Sequence, residues 1–221
     1  MSSSREEVIA ALALCSGEAA RTWMATVARA ESAEALGGLF ARAARAVRPP
    51  AAATDRGDWT ANRASALHGT WRPDHLARAL VLLRAAERLE DPVFLDLVEA
   101  LYSRGDVRER EAVLKSLPLL PGPDRFRTLA TTACRTHVQP VFEAIACENP
   151  YPAAWFPAPA FEQLVLKCLF VGVAVARVMG LDERRTPELV RMARALASER
   201  IAAGRPVSAD VVRISNAGRS P

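Results

Sequence analysis

No run of five or more residues in this 221-residue chain alternates apolar and polar side chains with β-branched enrichment, so a sheet has almost nothing to be built from. Helix punctuation recurs instead. Arg5 to Leu14, Glu18 to Ala30 and Ala33 to Val47 read as Ala-rich helices. From Arg48 to Arg72 the pattern dissolves into an irregular connection, either a loop packed by Trp59 and Trp71 or a partly mobile linker. Beyond it, Pro73 opens a helix with Leu76, Leu80 and Leu83 on its apolar stripe. Asp91-Pro92 starts another, with Phe94, Leu97, Val98 and Leu101 on one face. Gly105 stops it, and Asp106 with Glu109 supplies a capping box for the next, whose Val113 and Leu117 face inward. After LPLLPGP, Asp124 caps a stripe of Phe126, Leu129, Ala130, Ala133 and His137. Pro140 opens a short helix through Val141, Phe142, Ile145 and Ala146.

The openings near Pro73, Asp106 and Pro140 lie 33 and 34 residues apart, in the range of helical-hairpin repeats. Short amphipathic helices joined by tight turns bury their stripes by stacking antiparallel. The expected fold is all-α: helical hairpins stacked as a short α-solenoid-like or irregular bundle. Residues 1–47 form N-terminal helices, 48–72 the linker, 73–214 the repeat-like region, and 215–221 a frayed tail.

Half of the chain is hydrophobic and the net charge is only +4, which excludes disorder throughout. Against 25 acidic residues, 29 basic ones are too mild an excess to demand nucleic acid, and 6% aromatic content leaves little for base stacking. All the basic residues except Lys115 and Lys167 are arginine. Together with the abundance of alanine this fits a GC-rich genome, so Lys167 carries more information than a lysine usually would. Cys15, Cys134, Cys147 and Cys168 form no C-x-x-C pair, which points to a reducing cytoplasm. Met1 to Ala10 lacks the apolar stretch of an export signal. In the greasiest window, Leu164 to Leu181, Lys167 and Arg177 leave too short an uncharged run to span a bilayer. The expectation is a cytoplasmic protein with no membrane insertion.

One stretch differs from the rest. Glu148 to Pro159 holds four prolines, and in Asn149-Pro150-Tyr151-Pro152 each proline biases its predecessor toward extended backbone. Such a segment is a stiff inter-helix loop, or else a pre-ordered rim presenting Asn149, Tyr151 and Trp155. In the following helix, Pro159 to Phe170, Phe161, Leu164, Val165, Cys168 and Leu169 share the core side, while Gln163, Lys167 and Phe170 lie opposite. Facing bulk water, that second side misplaces Phe170; facing the core, it leaves an ammonium needing a partner. A groove or a partner contact resolves both conflicts. The plainer alternative is an exposed lysine beside one stray aromatic. Gly180-Leu181-Asp182 then ends the helix, Thr186-Pro187 caps and opens the next with Leu189, Ala193 and Leu196 inward, and Gly204-Arg205-Pro206 terminates it. Glu199 and Arg200 are placed to pair with Asp182, Arg184 or Arg185.

Catalytic signatures are faint. Cys134 and His137, three apart on one expected helix, with Glu143 and Cys147 following, lack the second matched pair a zinc site needs. His68 and His75 flank a helix start and read as surface residues. No phosphate-binding glycine loop and no zinc-protease motif occurs. No cofactor and no metal is expected.

The C-terminal half carries a set of strings that resembles the EboA family. They are Cys134-Arg135-Thr136-His137, Val141 to Ala146, Glu148-Asn149-Pro150-Tyr151-Pro152, Phe161 to Lys167, Gly180-Leu181-Asp182, Pro187-Glu188-Leu189, and Glu199-Arg200 ahead of Ala203-Gly204-Arg205. The likeness covers roughly residues 85 to 212. Glu162 stands where the family commonly has Asn, and an aromatic common near Val212 is missing. The resemblance implies a small helical accessory protein of metabolite-traffic operons, moving or maturing a secondary-metabolite precursor toward the periplasm. It implies as partners a prenyltransferase-like membrane protein and TIM-barrel-like or sugar-isomerase-like enzymes, and it carries no catalytic residues. The site expected from the residues is Asn149, Tyr151, Gln163, Lys167 and Phe170, meeting a partner protein or a metabolite, with no nucleic acid. The rival is an enzyme acting on an isoprenoid or aromatic metabolite, metal-dependent through the Cys134, His137 and Glu143 neighbourhood.

Overall fold

Helix begins almost at once: Ser2–Arg29 is a single helix, α1, running through the Ser16-Gly17 dipeptide that divides two helices in the sequence pattern. An interior glycine costs about 1 kcal/mol. Burial of Val8, Ala11 and Leu12 on one side of it, and of Ala20, Trp23 and Val27 on the other, outweighs that. The structure, a computed structural model, describes residues 2–47, 59–60 and 67–216. Most of the expected linker (48–58 and 61–66) and the tail 217–221 lie outside the described residues.

The all-α expectation holds, with one small β pairing. Trp59–Thr60 (β1) pairs antiparallel with Thr70–Trp71 (β2), Trp59 opposite Trp71. The chain divides into two compact units, 1–145 and 146–221, a boundary inside the stretch read as one repeat-like region.

In the first unit, α2 (Ala33–Ala46) is capped by Ser32, whose hydroxyl accepts from Ala35 N. The helices α3 (Pro73–Arg88), α4 (Asp91–Arg104) and α5 (Val107–Ser116) follow, α5 with the Asp106/Glu109 capping box in place. Leu117–Leu119 and Pro123–Phe126 are 3₁₀ turns leading into α6 (Arg127–Ala133), and α7 (Gln139–Ala146) runs up to the boundary. The centre of this unit is α3, which packs against α1, α2 and α5. It is buried from Pro73 to Ala85 on every face, far beyond its Leu76, Leu80, Leu83 stripe. Neighbours are anchored through it: Trp23 Nε1 donates to Ala77 O (3.3 Å), Arg78 Nε to Phe40 O (3.2 Å), and Arg84 to the carbonyls of Ala28 and Ala30 at the end of α1. Thus the N-terminal helices and α3 share one core, and the connection between them does not separate domains.

The second unit contains α8 (Tyr151–Trp155), α9 (Ala158–Val171), a 3₁₀ turn at Val175–Arg177, α10 (Pro187–Ala202) and α11 (Ala209–Ser215). The stripe Phe161, Leu164, Val165, Cys168 and Leu169 is buried, as are Leu189, Ala193 and Leu196. Thr186 caps α10 by accepting from Leu189 N, and its own hydroxyl donates to Glu162 Oε1 (2.5 Å). Position 162 therefore joins α9 to the start of α10. Asp182 pairs with Arg185 and Arg213 and not with Arg200, which donates to Pro206 O.

Candidate functional site

On α9, residues 163, 167 and 170 share the face opposite the core stripe, as 100° per residue requires. Gln163 is exposed, Lys167 half-buried, and Phe170 is 66% exposed, with Val171 beside it at 50%. These three expected site residues stand together on one surface. Asn149 and Tyr151 do not join them there.

Asn149 is 4% exposed and Tyr151 is fully buried, so neither forms a rim; Trp155 is half-buried. The physical reason lies in helix starts. Proline loses no hydrogen bond in the first turn of a helix, and Asn149 Oδ1 accepts from Tyr151 N (2.9 Å), bending the chain at once. Pro150 takes a helical conformation (φ −74°, ψ −12°), and the prolines open α8 where an extended strap was expected. Tyr151 packs edge-on to Phe156, ring centroids 6.1 Å apart. Just before, Glu148 has φ +46°, a left-handed conformation uncommon outside glycine. It is held by a double clasp to Arg177: Glu148 N donates to Arg177 O (2.8 Å), and the guanidinium grips the carboxylate at 2.7 and 3.0 Å. Arg184 closes the other end of α8. It donates to the carbonyls of Pro152, Ala153 and Phe156 at 2.7–2.9 Å while lying 4.5 Å over the Phe161 ring. The proline-rich turn is thereby locked into the second unit directly ahead of α9.

The Cys134–His137 pairing fails on secondary structure. Helix α6 ends at Ala133, and turns bonded from Arg135 N to Thr132 O and from Thr136 N to Ala133 O carry His137 off the helix into an exposed position. The Cys134 thiol donates to Ala130 O, and Glu143 accepts from Gln139 Nε2. Among the described residues, no group of three or more side chains could hold a metal ion.

The densest polar cluster was expected nowhere. His75, read as a surface residue, is 4% exposed because α3 is enclosed on all sides. Arg72 Nη2 lies 2.7 Å from Glu111 Oε2 and 2.5 Å from His75 Nε2, which itself lies 3.1 Å from the same oxygen. Arg72 Nε reaches Asp74 at 3.2 Å, and Asp74 in turn receives Arg78 Nη1 at 2.6 Å. Lys115 completes the surround, its ammonium 5.3 Å over the Trp71 ring. Burial lowers the proton affinity of His75, the Glu111 hydrogen bond opposes this in part, and the Arg72 charge adds to the lowering. Glu111 goes down to about 2, because the His75 and Arg72 hydrogen bonds and charges together outweigh its own desolvation.

A general base works best with a pKa near the operating pH. A carboxylate held near 2 by committed partners is the opposite, and the cluster therefore reads as a fastening between α3 and α5. Its one loose end is His75 Nδ1, buried with no hydrogen-bond partner among the described residues. The signal that could have revealed the cluster is the Asp74–Arg78 pair, four apart, in a helix whose stretch from Ala79 to Leu83 is wholly apolar.

Comparison with known proteins adds one match. Residues 19–216 fit the family model described as metabolite traffic protein EboA. No curated protein and no solved structure matches the chain. Among the described residues, no helix is long and apolar enough to cross a membrane.

Proposed function

The chain belongs to the EboA family of metabolite traffic proteins, and on that premise we propose that it is a non-catalytic, cytoplasmic accessory protein. It docks a protein of the same trafficking system through the outer face of α9. The observation that carries this is the exposed aromatic. A ring left 66% in solvent beside a half-exposed Val171 forgoes about 2 kcal/mol of burial that a partner would recover. Lys167 and Gln163 supply the polar contacts alongside. Asn149 and Tyr151 serve from within, fixing the turn that sets where α9 begins. The resemblance names the partner candidates: a prenyltransferase-like membrane protein and TIM-barrel-like enzymes handling a secondary-metabolite precursor.

Replacing Lys167 by Ala abolishes complementation of an operon deletion and leaves the circular dichroism spectrum unchanged. Phe170→Ser loses co-purification of the membrane neighbour in the same way. Full complementation by Lys167→Ala refutes the α9 docking face, and stoichiometric zinc or iron in the purified protein favours an enzyme instead.

A further inference from the structure

The two N-terminal helices form an open cleft of about 570 Å³ on the first unit. That volume suits a small organic ligand. Its floor is apolar, formed by the edges of the buried Trp23 and Leu39, and the indole N–H is already committed to Ala77 O. Thr22 and Thr26 line one wall, both exposed, with Thr26 Oγ1 donating to Thr22 O. Arg42 and Arg45 line the other wall, both exposed, and among the described residues no acidic one lines the cleft.

No acidic residue stands three or four positions from Arg42 or Arg45 along the chain. At the same three-residue spacing on a helix or turn, Arg84 faces Glu87, Arg185 faces Asp182, and Arg191 faces Glu188. Arg42 and Arg45 stand at the same spacing on α2, like charges that cost a helix a few tenths of a kcal/mol; Arg191 and Arg194 repeat it on α10, but there Glu188 holds Arg191 and Ser215 O accepts from Arg194. Among the described residues, neither has an ion pair. The C-terminal end of α2 contributes about −0.5 charge, which two full positive charges exceed.

We propose that this cleft binds an amphipathic organic anion, whose apolar or aromatic body lies on Trp23 and Leu39 while a carboxylate or phosphate is held between the forks of Arg42 and Arg45. Two guanidinium forks match planar or tetrahedral oxyanions at two points, which a neutral head group cannot exploit. The site is separate from the α9 face, and the two ideas fail independently.

Titration calorimetry on the full chain tests it with 1-naphthyl phosphate, 1-naphthoate, the neutral naphthalene-1-methanol and inorganic phosphate. Both aromatic anions bind, each about tenfold or more tighter than the neutral alcohol or bare phosphate, the size of one charge-assisted hydrogen bond. Whichever anion binds tighter identifies the head group. The double variant Arg42→Gln/Arg45→Gln falls to the alcohol's level. Thr22→Phe, which fills the cleft from an exposed position, removes binding of all four, and Lys167→Ala changes none. Equal binding of alcohol and anions, unaltered binding by the double variant, or no binding of either anion at about 1 mM overturns the proposal.

Discussion

Replacing Glu111 by Gln isolates the charge at the centre of the buried cluster while keeping its volume. The wild-type carboxylate is about 2 in pKa against an ordinary 4.5. At about 1.4 kcal/mol per unit, that difference corresponds to at most about 3–4 kcal/mol of stability at neutral pH. The Arg72 side chain is 31% exposed, so water screens part of the pairing. A realistic loss in the variant is about 2 kcal/mol, or a melting temperature about 4–8 °C lower.

The pH dependence gives the sharper test. An unfolded chain protonates Glu111 as pH falls below 4.5, whereas the folded chain resists until about 2. Wild-type stability from this group is therefore complete above 4.5 and lost on the way down to about 2, a window in which the glutamine cannot titrate. His75, also lowered, erodes the fold in a separate window that opens below its ordinary 6.5. Urea midpoints measured at several pH values between 7 and 3 should show a gap of about 2 kcal/mol at neutral pH that narrows steadily below 4.5. A gap under about 0.5 kcal/mol at pH 7, or one unchanged at pH 3, refutes the idea that this carboxylate fastens α3 to α5.

Gly180 and Gly204 have nearly the same left-handed backbone, φ +69° and +63°, but a Cβ on Gly180 would stand 2.6 Å from Ala153 Cβ while one on Gly204 meets nothing within 4 Å. Each change to Ala costs about 1 kcal/mol for the backbone, and Gly180→Ala adds about 1–3 kcal/mol for the collision; equal urea midpoints for the two would refute the close approach. Arg184→Gln strips three carbonyls of their donor and should raise hydrogen exchange across residues 151–156 about tenfold or more, leaving amides of the first unit unchanged.

What could be read in the sequence was what local sterics decide. The Asp106/Glu109 box, the Thr186-Pro187 start and the Pro73 start need only neighbouring residues, and each stands where the pattern placed it. The Asn149-Pro150-Tyr151-Pro152 turn misled because proline favours two things at once, an extended predecessor and a first helical turn. What chose between them was Arg184, more than 30 residues downstream of Pro152 and Ala153, holding their carbonyls in the helix. His75 was misplaced for the same reason. Its partner Glu111 lies 36 residues away, and α3 is enclosed by helices from both directions along the chain.

The arginine excess looks different once those distant partners are placed. Helices end with carbonyls that have no partner of their own, and here guanidinium groups from elsewhere in the fold repeatedly supply one. Arg84 does so for α1, Arg110 for α4 through Ser103 and Gly105, Arg184 for α8, and Arg194 for α11 through Ser215. A lysine offers one compact ammonium where several of these sites use two nitrogens of a planar fork on two carbonyls at once. Genome composition can supply arginines, but it does not aim them. Arg42 and Arg45 are among those spent on neither a carbonyl nor a carboxylate among the described residues, and both line one cleft over an apolar floor, a placement that a bound anion would explain.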